Sequence, residues 1–144
     1  MHKLILGVAA AMLLTTGVAN ADAISDRQAA MKKNGGAIGP LVKIMKGEMD
    51  YDPATVLASF TTMREDMEGF ENLFPEDSMT GGDTTASPKI WEDMDGFKAA
   101  VEKMRGDLDA AIAAAPQDKA AFMPVFQQVA GNCGACHEAY RIKK

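Results

Sequence analysis

Near the C-terminal end of this chain two thiols stand three positions apart, with an imidazole directly after the second: Cys133-Gly134-Ala135-Cys136-His137. A spacing of three puts both sulfurs about one turn apart on the same face of a helix. That geometry suits addition of each sulfur to one vinyl group of a porphyrin, and the histidine then emerges where a ring nitrogen can reach the iron as proximal ligand. The pattern reads as a c-type haem attachment site. The same side chains could also make a CxxC redox pair, half a zinc site or a disulfide. Zinc requires four ligands, and the only further Cys or His in the chain is His2, in its leader-like start. A thioredoxin-like pair belongs early in a helix that follows a strand, where the helix N-terminus lowers the thiol pKa. Here the pair falls near the end of a helical pattern, and no strand precedes it.

The elements that must carry this site follow from the rest of the chain. With 144 residues and a net charge of −5 it is one small domain. The charge is too acidic for nucleic acid and favours basic or mixed-charge docking partners over anionic membrane surfaces. Lys3, the apolar residues 4–18 and Ala19-Asn20-Ala21 have the positive, apolar and small-residue parts of a cleavable export signal, and the apolar run is short for a spanning helix. Residues 1–21 are therefore expected to be removed, leaving one mature, periplasmic domain over 22–144 with no stable membrane insertion. His2 leaves with the leader, so His137 is the sole imidazole of the mature chain and bis-histidine coordination within it is excluded. The sixth iron position falls to methionine, to a weaker ligand, or to none. With the single histidine committed and no Gly-rich phosphate loop before a helix, the chain is not read as an enzyme.

Four amphipathic segments are punctuated by proline and glycine. The first covers about 23–46, with Ile24, Met31, Ile38 and Met45 at heptad spacing; Gly47 is its stop and Pro40 should kink it. Asp52-Pro53 is an N-cap followed by proline at the first helical position. It opens a second helix whose buried stripe is Val56, Phe60, Met63, Met67 and Phe70, ended by Pro75. Residues 75–87 form a surface crossover loop. Ser87-Pro88 opens a third helix through Ile90, Trp91, Met94, Phe97, Val101, Met104, Leu108 and Ile112. The fourth starts near Gln117 or Asp118 and runs to about Arg141, with Pro124 setting its first turn at an angle. The fold class is all-α, an antiparallel four-helix bundle in up-down-up-down order.

Several of these residues recur together in a known family. Arg27-Gln28, Lys46-Gly47 with Tyr51-Asp52, Leu73-Phe74-Pro75, Ser87-Pro88-Lys89-Ile90-Trp91 with Phe97, and Cys133 to His137 with Tyr140-Arg141 resemble the class II c-type cytochromes, the cytochrome c prime family. The resemblance implies a four-helix bundle, one haem c bound covalently through Cys133 and Cys136, and His137 on the iron. The family has a five-coordinate branch that takes NO or CO, and a low-spin branch, cytochrome c556, in which a methionine of the first helix is the sixth ligand. Met31-Lys32-Lys33-Asn34-Gly35 is similar to the low-spin branch, which makes Met31 the candidate second metal ligand; the alternative leaves Met31 as a cap over an open iron. Bundle geometry points to the same residue, because Met31 and His137 fall about 12 Å and about 6 Å from the shared end of the first and fourth helices, with Met45 roughly 20 Å further along. Methionine is also a general core filler, and Met63, Met67, Met94 and Met104 are read as packing. Arg27, with Gln28 beside it, is a candidate partner for a haem propionate, and Trp91 and Phe97 are candidate pocket walls; Arg141 could cover the proximal face, and Asp83 and Ser87 could cross the haem edge. The implied role is a periplasmic electron carrier serving redox partner proteins, with gas binding as the alternative. A thiol–disulfide oxidoreductase would require Cys133 and Cys136 to stay free. Homodimers through the first two helices are common among similar proteins.

Overall fold

A computed structural model describes residues 17–143. The leader expected over residues 1–21 lies largely outside them. Five helices follow in order: α1 Gly17–Lys46, α2 Pro53–Asp66, the single turn α3 Lys89–Glu92, α4 Met94–Ala114 and α5 Lys119–Tyr140. Among the described residues there is no strand, only one isolated bridge between Ala86 and Arg141. The helix α1 packs on α2, α2 on α4 and α4 on α5, with α1 also reaching α5. The all-α, four-helix-bundle expectation holds, the third long element being split into α3 and α4.

Local chemistry explains most of the boundaries. Asp52 accepts from the backbone N–H of Thr55 at 3.0 Å and caps α2, with Pro53 at its first position. Asp118 accepts from the N–H of Ala121 at 2.8 Å and caps α5. Gly47 takes φ +78° after α1, the left-handed stop that glycine tolerates. Two expected spans need correction. The second helix ends at Asp66 rather than at Pro75, because Gly69 turns the chain at φ +68° and Phe70–Leu73 continues as a 3-10 turn. The third does not run unbroken from Pro88: Asp93 leaves helical geometry (φ −134°, ψ 55°) and caps α4 through the N–H of Gly96 at 3.2 Å. The first helix already includes Gly17, the first described residue, ahead of the start expected near Ala23. Neither Pro40 nor Pro124 interrupts its helix.

The core is centred on Leu41, Ile44, Phe60, Met63, Leu108, Phe122 and Val129, all completely buried. Each such side chain contributes about 1.5–3 kcal/mol through the apolar surface it removes from water. The expected heptad residues Met31 and Ile38 are only half-buried, because they border a cavity instead of the packed centre. Two aromatic clusters brace the ends. Phe122 stacks on Phe126 and meets Tyr51, while Phe74 and Phe97 lie edge to face at 4.7 Å with Phe70 and Tyr140 around them.

Candidate haem site

A cavity of about 520 Å³ opens between α1, α2, α4 and α5, a volume within the range that holds organic cofactors. The α5 wall contributes Cys133, Cys136, His137, Tyr140 and Arg141; α1 contributes Arg27, Gln28, Met31, Asn34 and Ile38. Met63 and Met67 of α2, Phe97, Val101 and Met104 of α4, and Phe70 and Phe74 complete an apolar enclosure. Spacings of three and four along α5 bring both thiols and the imidazole to one wall.

Electrostatics at that wall favour ligation over thiol chemistry. Burial pushes both the Cys133 and Cys136 thiols up, the reverse of the shift that activates a redox thiol. No disulfide joins the two cysteines. Burial, and then the nearby Arg141 charge, lowers the pKa of His137, so the neutral imidazole that binds a metal is favoured. The segment is held from behind. Asp107 of α4 accepts from Asn132 at 2.7 Å, Lys103 at 2.5 Å and Gln128 at 2.8 Å. The Asn132 and Lys103 hydrogen bonds bring its carboxyl down to about 2. Asn132 is buried directly before Cys133, so this clamp sets the rotation of α5 that turns the thiols inward.

Arg27 is buried, 5 % exposed. It donates to the Leu73 carbonyl, to the Ser78 hydroxyl and carbonyl, and to the Thr84 hydroxyl at 2.7–3.3 Å. Its guanidinium also lies 4.9 Å from the Phe74 ring centroid. No carboxylate pairs with it in any described ion pair, and desolvation alone lowers its pKa. A buried cation with only neutral partners at a cavity wall suits an incoming carboxylate. Gln28 donates to the Asp83 carbonyl at 3.3 Å. Together they tie α1 to the 73–84 loop. The loop in turn joins the C-terminal segment, Ile142 donating to the Thr85 carbonyl at 2.8 Å and Ser87 to that of Tyr140 at 2.9 Å.

Of the residues expected at the site, Cys133, Cys136, His137, Met31, Arg27, Gln28, Phe97 and Arg141 line this one cavity. Trp91 stands behind the wall: its ring meets Phe74 at 5.9 Å and its indole N–H donates to the carbonyls of Phe74 and Pro75. Asp83 and Ser87 flank the lining residues Thr84, Thr85 and Ala86 without joining them. The sequence reading missed Asn34 and the double role of Met63, Met67 and Met104, which are core residues that also face the cavity. The motif Met-Lys-x-Asn-Gly contained Asn34, three positions after Met31 and so on the same face.

The cavity fits a flat apolar ring with acidic arms, anchored through two sulfurs and one nitrogen. Comparison with known proteins agrees. Residues 22–141 match the protein family described as Cytochrome C'. The chain is 47% identical over 119 residues to a cytochrome c-556 of Agrobacterium tumefaciens (strain apple 185), covering 82% of this chain and 93% of that protein. It is 39% identical over 142 residues to a cytochrome c' of Rhodopseudomonas palustris, covering 95% and 94%. A solved structure of cytochrome c' from Rhodopseudomonas palustris superposes with a TM-score of 0.82 at 39% identity, covering 85% of this chain and 98% of that one. With its bundle, its cavity and its Cys133–His137 motif, this chain belongs to the cytochrome c' family and is a mono-haem c-type cytochrome.

Proposed function

We propose that this chain is an exported electron carrier in which Cys133 and Cys136 form the thioether links and His137 and Met31 hold the iron. The observation that carries this reading is the placement of Met31 on the α1 wall of the cavity that has His137 on its α5 wall. When bound, haem c supplies a one-electron ferric–ferrous couple. The chain's own residues do the rest. A methionine sulfur from Met31 together with the His137 imidazole would favour the ferrous state and raise the potential. The methionine and phenylalanine walls exclude water, and Arg27 with Gln28 orients the carboxylate arms. Burial that pushes both thiols up, and their place near the end of α5 rather than at a helix N-terminus after a strand, argue against a thiol–disulfide oxidoreductase.

The optical spectrum of the haem-loaded protein tests the assignment. A low-spin ferric spectrum with a methionine–iron charge-transfer band is expected, converting to high spin in Met31→Ala. A high-spin spectrum in the unaltered protein, with CO uptake that Met31→Ala leaves nearly untouched, refutes ligation by Met31. Similarity to a cytochrome c' as well as to a cytochrome c-556 favours that five-coordinate, NO- or CO-binding role as the second reading. N-terminal sequencing of the exported protein is expected to start near Asp22.

A further inference from the structure

Two carboxylates, one capping α4 and one within it, grip α5 on either side of the Cys133–His137 motif. Asp107 accepts from Asn132, the residue before Cys133, at 2.7 Å. Asp93 accepts through Oδ2 from the Tyr140 hydroxyl, beyond His137, at 3.1 Å. Its Oδ1 accepts from the N–H of Gly96 at 3.2 Å, so each oxygen of the Asp93 carboxylate has its own task. Tyr140 is buried and lines the cavity together with Cys136 and His137. At spacings of four and three it shares a helix face with both. Its ring lies edge to face with Phe97 at 5.3 Å, and its carbonyl accepts from the N–H of Ser87 at 2.9 Å. A single tether leaves a helix free to roll and tilt about the point of attachment. Asn132 and Tyr140 stand about 12 Å apart along the axis of α5 and about 80° apart around it, so tethers at both points fix both motions. The imidazole leaves the backbone between them, about 60° around the helix from Tyr140. A roll of α5 therefore turns the ring plane of His137 relative to anything it ligates.

We propose that Tyr140 is a positioning residue for the haem: its hydrogen bond to Asp93, acting with the Asn132–Asp107 pair, sets the orientation of the His137 imidazole plane over the ring. The inference rests on His137 as the proximal ligand. It does not depend on which atom occupies the sixth iron position, so the optical test of Met31 and the test below fail independently.

Proton NMR of the ferric, haem-loaded protein tests it, because the order and spread of the haem methyl shifts follow the orientation of the axial imidazole plane. Tyr140→Phe keeps the ring and removes the O–H. Asp93→Ser keeps an oxygen able to cap α4 on a side chain too short to reach Tyr140. Each single variant is expected to change the methyl pattern. The double variant should change it no further than either single one, since both substitutions remove the same hydrogen bond. A methyl pattern unchanged in Tyr140→Phe, even with a lower Tm, leaves Tyr140 a purely structural residue and overturns the proposal, as do changes that add in the double variant. If the unaltered protein carries haem without imidazole coordination in its optical and EPR spectra, ligation by His137 fails and the proposal falls with it.

Discussion

Asp107 shows how a residue outside the cavity can govern it. Its carboxylate accepts two hydrogen bonds across the α4–α5 interface, from Asn132 and Gln128, and a third from Lys103 on its own helix, and they hold its pKa at about 2 against an ordinary 3.8. A group depressed on folding stabilises the native state above its unfolded pKa and loses that contribution as pH falls through the folded value. Asp107→Ala is therefore expected to lower stability by about 1–2 kcal/mol at neutral pH. The difference from the unaltered protein should shrink between about pH 4 and pH 2, measured by denaturant unfolding across that window. If the variant unfolds at the same denaturant concentration at pH 7, the clamp contributes nothing. Arg27 works differently, since all its hydrogen-bond partners are neutral. Its replacement by leucine is expected to loosen the 73–84 loop, read as faster amide exchange of residues 78–84, with little effect on α4.

The boundaries of the helices depend on a few side chains. Asp93 serves two of them: it caps α4 through Gly96 and accepts from the Tyr140 hydroxyl at 3.1 Å, so the start of one helix is fastened to the end of another just past the haem motif. A Cβ at Gly96 would meet the Asp93 carboxylate and push it away from the position in which it holds both groups. Asp93→Ala is expected to cost about 1–2 kcal/mol, a fall in Tm of roughly 3–8 °C for a domain of this size; an unchanged Tm by calorimetry would sink the assignment. Pro124 is the opposite case. It removes one backbone donor inside α5, so Pro124→Ala should raise Tm by a few degrees while leaving the optical spectrum unchanged.

For the molecule as a whole, net charge and local charge point in opposite directions. The chain is acidic overall, at −5, yet the fully charged side chains lining the haem cavity are Arg27, Lys32 and Arg141, all cations. Arg27 is buried, whereas Lys32 and Arg141 are exposed, so an encounter at this edge of the cavity favours partners that present carboxylates, in contrast to the basic or mixed-charge partners expected from composition. Stopped-flow reduction with an anionic reagent should slow severalfold between low and physiological ionic strength. The opposite salt dependence would mean that the acidic remainder of the surface controls approach. None of the helices among the described residues is long and apolar enough to cross a membrane.

Much of the site could be read along the chain because the relevant chemistry is local. Cys133, Cys136 and His137 lie within one turn and a half of helix, Asp52-Pro53 and Asp118 announce helix starts through their own neighbours, and apolar spacing alone separates the bundle's inner faces from its outer ones. Arg27, Asn34 and Trp91 are different. The partners of Arg27 lie 46 to 57 positions away, Asn34 faces a cavity whose other walls come from α2, α4 and α5, and Trp91 is kept behind Phe74 by a loop that no periodicity describes. The break at Asp93 needed Tyr140, 47 positions on. Short-range spacing decides which residues can share a helix face; only packing decides what each face meets, because burial and unpaired hydrogen-bonding groups acquire their energies when distant segments close on one another.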